Sequence, residues 1–214
     1  MADAIKPLRL GVLLSGGGRT LQNIIDHIET GKLDAEVSVV VSSRKSAYGL
    51  VRAREAGIPT VAHSRVLIGD DDEFNRRIND TLDEFNVDLV VLAGFMSLLR
   101  PRDRWWGRIM NIHPALIPAF CGDGLYGHLV HEAVLDQGCK VSGATVHFAN
   151  QEYDAGPIIL QKCVPVLEDD TPDTLAARVF EVECELYPRA IQLFAEDRLR
   201  ITDGGTVRIL PGAD

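Results

Sequence analysis

An α/β architecture is predicted by three features: a strand, glycine turn and helix at the start, further strand-helix units in the same sense, and a long, well-capped helix near the end. Leu8 to Leu14 is a short apolar strand leading into Ser15-Gly16-Gly17-Gly18-Arg19-Thr20, after which Leu21, Ile24, Ile25 and Ile28 recur at helical spacing. Glu36 to Val41 then reads as strand, Ala47 to Ala56 as helix, Thr60-Val61 as a short strand, Asp72 to Phe85 as helix and Asp88 to Leu92 as strand. Past a polar turn at Arg100 to Gly107, Arg108 to His113 supplies another strand. Consecutive strand-helix units in one direction predict a parallel, right-handed, doubly wound sheet. Lys140 to Phe148 and Ile158 to Val166 carry strand patterns on either side of the polar turn Asn150 to Gly156, and are expected to extend the sheet with mixed or antiparallel pairing. Thr171-Pro172-Asp173 offers a threonine cap, a first-turn proline and an acidic residue, and opens a long helix running to about Ala195. Leu199 to Ile201 and Val207 to Leu210 read as a hairpin turning at Gly204-Gly205. The expectation is a single-domain, Rossmann-like doubly wound fold over residues 1–214. Its N-terminal half covers about 8–95, its C-terminal half about 96–200, and its terminal hairpin about 199–211.

Composition narrows the function. The 214 residues suffice for one sizeable core, and no linker-like stretch marks a boundary. Lys and Arg total 22 against 31 Asp and Glu, for a formal net charge of −9. With no basic run, nucleic-acid binding is not expected. The start Met1-Ala2-Asp3-Ala4-Ile5-Lys6-Pro7 lacks the basic and long apolar parts of a secretory signal, and no segment approaches a membrane-spanning length. Four cysteines, at 121, 139, 163 and 184, form no CxxC pair and read as reduced thiols. A cytoplasmic protein without membrane partners is the expectation; a homodimer is compatible with it.

The chemistry concentrates at Met110-Asn111-Ile112-His113-Pro114. Side chains alternate across a strand, so Asn111 and His113 project from the same face, and the proline ends the strand beside them. Open α/β sheets carry ligands at such carboxyl ends. Asn111 is expected to donate a hydrogen bond to an oxygen developing negative charge, with His113 donating likewise or moving a proton. Asp154 is expected to favour imidazolium and raise the His113 pKa. A core histidine and a turn-forming aspartate are the bland readings of the same residues. The loop Ser15 to Thr20 offers bare amides at a helix start, suited to a monophosphate. It fits neither GxxxxGK[ST] nor GxGxxG, and a plain tight turn is its alternative. Cys121, His128 and His131 match no standard metal spacing, so no metal is expected. Nothing in the sequence marks Cys121 as a nucleophile. Gly122 to Gly127 reads as a flexible loop over a pocket.

These residues resemble the folate-dependent formyltransferases. The resemblance is carried by Leu14-Ser15-Gly16-Gly17-Gly18, Leu92-Ala93-Gly94-Phe95-Met96, Asn111-Ile112-His113-Pro114-Ala115-Leu116-Ile117-Pro118, Val146-His147-Phe148, Tyr153-Asp154-Ala155-Gly156-Pro157-Ile158-Ile159 and Arg178-Val179 through Glu183, in family order. It implies transfer of the formyl group of 10-formyltetrahydrofolate, as co-substrate, to the primary amine of glycinamide ribonucleotide. By carry-over, Asn111 and His113 steady the oxyanion, His113 is the acid/base, and Asp154 holds it protonated and orders a water. Gly18, Arg19 and Thr20 would bind the ribonucleotide phosphate, and Glu183 would grip the ribonucleotide. The folate would lie along Met96, Ser97, Leu98 and Leu99, and along Asn111 and Asn150, Gln151, Glu152, Tyr153 and Asp154. Three rivals remain. A methionyl-tRNA formyltransferase carries a further C-terminal tRNA domain, which this acidic chain is expected to lack. A formyltetrahydrofolate deformylase carries an N-terminal regulatory domain, whereas seven residues precede the first strand here. A non-catalytic nucleotide-binding module shares the fold, which alone never fixes function.

Overall fold

The computed structural model describes residues 6–212; the start Met1 to Ile5, read above for a leader, lies outside the described residues. The chain divides into two compact units, Met1–Arg108 and Ile109–Asp214.

The first unit is parallel throughout. Strands β1 (Leu8–Leu14), β2 (Ala35–Ser42), β3 (Thr60–Ala62) and β4 (Leu89–Leu92) lie in the order β3-β2-β1-β4, all three pairings parallel. Burial of β1 leaves no room for a side chain at Gly11, where a Cβ would stand 2.6 Å from Leu82 Cδ2. Helix α1 (Arg19–Glu29) buries Leu21, Ile24 and Ile25. Helix α2 (Gly49–Glu55) and the single-turn α3 (Arg65–Ile68) follow. In α4 (Asp71–Glu84), Asp70 caps the helix by accepting from Glu73 N at 2.7 Å, and Asp71, Asp72 and Glu73 favour its positive end. Asn75 and Asn79 of α4 hold the chain beyond β4: Asn75 Oδ1 accepts from Arg100 N at 2.7 Å and Asn79 Oδ1 from Arg102 N at 3.2 Å.

The second unit is antiparallel. Strands β5 (Ile109–His113), β6 (Val141–Phe148) and β7 (Ile158–Pro165) pair in that order, so the mixed or antiparallel alternative resolves to antiparallel. Helix α5 (His128–Asp136) falls where the sequence reading had assigned no helix. Helix α6 (Pro172–Ala195) has the Thr171 cap expected of it, with the Thr174 side chain completing a capping box. Its Tyr187 is fully buried and donates to Met110 O at 2.7 Å, fixing α6 against the strand that carries Asn111 and His113. Strands β8 (Leu199–Ile201) and β9 (Val207–Ile209) form the terminal hairpin. The fold is thus α/β, with parallel N-terminal strands, antiparallel C-terminal strands and a long late helix.

Candidate active site

Antiparallel register places Asn111 opposite His147 and His113 opposite Thr145. Beyond β5, the buried Thr145 hydroxyl donates to Ala115 O at 2.7 Å and accepts from Ile117 N at 3.1 Å, which fixes the path of the chain leaving His113. Asp154 arrives on the turn between β6 and β7. That turn closes against β6 so tightly that any Cβ at Gly156 would collide with the Phe148 carbonyl. Asp154 itself has φ 54, a left-handed conformation that aspartate tolerates better than most residues.

Four side chains meet there. His113 Nδ1 lies 3.4 Å from Asp154 Oδ2, and His147 Nε2 lies 3.5 Å from Asp154 Oδ1. Asn111 Nδ2 is 3.2 Å from Asp154 Oδ1 and 3.1 Å from His147 Nε2. Gly122 N donates to Asp154 Oδ2 at 3.0 Å. His113 and His147 are 3% and 1% exposed, and the Asp154 side chain 10%. The sequence reading assigned His147 no role, although it is among the residues that carry the resemblance; the signal that would have found it is its register opposite Asn111.

The geometry bears on two expectations. The end of the Asn111 amide facing the Asp154 carboxylate must be the donor. His147 Nδ1 meets a carbonyl, Phe148 O at 3.0 Å, so it carries the proton and leaves Nε2 to accept from Asn111. At rest both Asn111 amide hydrogens are engaged within the cluster, and its Oδ1 is the atom left over. The second, for His113, is overturned. Burial pushes its pKa down, the Asp154 charge and the Phe120 carbonyl push it up, and His147 pushes it down again. The net direction is down, opposite to the expected rise, because desolvating the imidazolium outweighs its two acceptors. Burial raises the Asp154 pKa, but the nearby His147 and His113 rings and the Gly122 N–H together leave it below the ordinary carboxylate range.

The Phe120 carbonyl accepts from His113 Nε2 at 2.8 Å. A carbonyl only accepts, so the resting proton of His113 sits on Nε2. Phe120 has φ 51, strain held at a residue that touches the cluster. Cys121 Sγ donates to Pro118 O at 3.3 Å, and burial followed by the Asp154 charge pushes its thiol pKa up, away from nucleophilic reactivity. His131 is on α5 with a buried, unpartnered Nδ1. Among the described residues, no three His, Cys, Asp or Glu side chains group as metal ligands.

The remaining expected site residues sit as follows. In the first unit, Gly18 adopts φ 72 and stands at the N-terminus of α1, with Arg19 and Thr20 in its first turn. Ser15, buried, ties the ends of β1 and β4 together: its N donates to Gly94 O at 3.0 Å and its Oγ accepts from Met96 N at 2.9 Å. Met96 is exposed, Ser97 and Leu98 are half-buried, and Leu99 is buried. In the second unit, Gln151, Glu152 and Tyr153 are exposed, Asn150 is half-buried and accepts from Glu152 N at 2.9 Å, and Glu183 is half-buried on α6.

The strand-end cluster and the fold together define a class. The chain belongs to the formyl transferase family, whose model matches residues 8–191. Phosphoribosylglycinamide formyltransferase of Haemophilus influenzae is 40% identical over 197 residues, spanning 91% of each chain. Trifunctional purine biosynthetic protein adenosine-3 of Bos taurus is 41% identical over 204 residues, covering 94% of this chain and 20% of its own length. The crystal structure of glycinamide ribonucleotide transformylase 1 from Symbiobacterium toebii matches with a TM-score of 0.90 at 42% identity, covering 99% of this chain and 98% of that one.

Proposed function

We propose that this chain acts as one formyltransferase domain, passing the formyl group of 10-formyltetrahydrofolate to the primary amine of glycinamide ribonucleotide in purine biosynthesis. The observation that carries the reading is the buried cluster of Asn111, His113, His147 and Asp154 in a formyl transferase family member.

The amine nitrogen attacks the formyl carbon; a carbon–nitrogen bond forms and the carbonyl pair moves to oxygen. His113 offers its Nε2–H to that oxygen, exchanging the Phe120 carbonyl for the stronger, charged acceptor. The proton shed by the amine passes through a water ordered by Asp154 to His113 Nδ1, which faces Asp154 Oδ2. A neutral His113 can take it, and the imidazolium then donates to the carboxylate. The same proton returns to the folate N10 as the carbon–N10 bond breaks, so none is gained or lost. Asn111 holds Asp154 and His147 in register and presents Oδ1 as an acceptor for the incoming N–H. In this reading Gly18, Arg19 and Thr20 bind the ribonucleotide phosphate and Glu183 the ribonucleotide. The segments Met96 to Leu99 and Asn150 to Asp154 contact the folate. The enzyme works in the cytoplasm without metal, nucleic acid or membrane, and a homodimer is compatible with the scheme. No helix among the described residues is long and apolar enough to cross a membrane.

The test is steady-state formyl transfer from a 10-formyl folate, followed by absorbance of the deformylated product, with glycinamide ribonucleotide, water and tRNA as acceptors. Turnover is expected only with the ribonucleotide. Release to water alone would make the chain a deformylase, and no turnover with any acceptor would remove the enzymatic reading.

A further inference from the structure

Two carbonyls of the glycine loop are captured from one side. Gly16 O accepts from Gly49 N at 3.0 Å, and Gly17 O accepts from Arg52 Nε at 3.0 Å. Both donors belong to α2, which packs so closely on the loop that a Cβ on Gly18 would stand 2.6 Å from Gly49 Cα. In a trans peptide the carbonyl and the following N–H point in opposite directions. Capture of Gly16 O and Gly17 O therefore turns the N–H groups of Gly17 and Gly18 away from α2. Among the described residues neither N–H has a backbone partner, and a Cβ at Gly16 or Gly17 would meet nothing within 4 Å. The loop thus presents directed donors on an open side, next to the positive end of α1.

We propose that Arg52 is a positioning residue for phosphate binding, an assignment that rests on reading this loop as the ribonucleotide's phosphate cradle. Its guanidinium is itself fixed in two further ways. Nη1 donates to Gln22 Oε1 at 3.2 Å, and the group lies over the Tyr48 ring with 5.1 Å from Cζ to the centroid. The planar fork reaches Gly17 O and Gln22 together, which an aliphatic or shorter side chain cannot do. Arg52 acts by locking the Gly17–Gly18 peptide plane. Without it the glycine peptide is free to rotate and the Gly18 N–H loses its direction, because glycine resists rotation less than any other residue.

The experiment compares wild type with Arg52→Ala and Arg52→Lys. In steady-state assays, Arg52→Ala raises KM for glycinamide ribonucleotide about tenfold, equivalent to about 1.4 kcal/mol. Its kcat stays within about twofold and the folate KM is unchanged. Arg52→Lys, which keeps a donor within reach of Gly17 O, recovers most of the loss. An unchanged ribonucleotide KM in Arg52→Ala, or a loss confined to kcat, overturns the proposal. A second readout is independent of formyl transfer. Titration of inorganic phosphate into wild type is expected to shift the Gly17 and Gly18 amide signals in NMR, and in Arg52→Ala the midpoint of that shift moves to about tenfold higher phosphate. Equal midpoints in both proteins overturn the role of Arg52. Wild-type protein that answers phosphate at these amides yet forms no product leaves Arg52 in place and removes the proposed reaction instead.

Discussion

His131 makes the protein acid-labile by a predictable amount. It is 4% exposed, its Nδ1 has no partner, and burial together with the charges of His128 and His113 lowers its pKa from 6.5 to about 4. The unfolded chain therefore binds this proton more readily than the folded one. The contribution is fully present above about pH 6.5 and is lost as pH falls towards about 4. At about 1.36 kcal/mol per pKa unit the whole shift is on the order of 3 kcal/mol, of which about 2 kcal/mol disappears between pH 7 and pH 5. The perturbation is His131→Leu, which puts an apolar side chain of similar bulk in its place and removes the titrating ring. Urea unfolding of both proteins at pH 7 and pH 5, with matched m-values, gives the double difference. Carboxylates and the remaining histidines cancel in that difference to first order. Wild type is expected to lose about 2 kcal/mol more than the variant. Equal losses would mean that His131 titrates alike in both states, and the burial argument would fail.

Three other expectations follow from the geometry. His113→Ala and Asp154→Asn each lower kcat by about 10²- to 10⁴-fold in initial-rate assays while unfolding stays cooperative; near-normal turnover in both would take the pair out of the chemistry. Tyr187→Phe removes the buried bond to the Met110 carbonyl and costs about 1–2 kcal/mol in urea unfolding. A change within measurement error would show that α6 is held to β5 by packing alone. Gly18→Ala meets both the φ of 72 and the Gly49 backbone, and raises the ribonucleotide KM about tenfold; an unchanged KM would separate this turn from phosphate binding.

Most strands and the long helix were legible because their burial is periodic and their ends are marked. Leu8–Leu14 matches residue for residue, and the Thr171-Pro172-Asp173 signal located the start of α6. Helix α5 was not legible: it begins after Gly127 with no side-chain cap, is nine residues long, and opens on His128-Leu129, which gives no N-terminal charge signal. The single turn Arg65–Ile68 leaves Val66 and Leu67 exposed and so carries no amphipathic pattern. At the site, strand alternation was enough to pair Asn111 with His113. The direction of the Asn111 amide was not readable, since it depends on His147, thirty-six residues away, and on which end faces Asp154. The downward His113 shift was missed for a related reason. A charged neighbour can be named from sequence, whereas the depth of burial that outweighs it is a property of the assembled second unit.

If His113 acts as proposed, the Phe120 carbonyl on its Nε2 bears on how catalytic advantage is distributed along the reaction. The donor is never vacant, since the protein's own backbone holds it at rest. Replacing one neutral carbonyl by another, the ground-state formyl oxygen, changes little. Replacing it by an oxygen carrying full negative charge gains a charge-assisted bond about twice as strong. Under the proposed mechanism the resting contact would act as a threshold that discounts affinity for the unreacted donor and rewards the tetrahedral state alone. Under that mechanism the asymmetry would raise turnover without tightening the grip on folate.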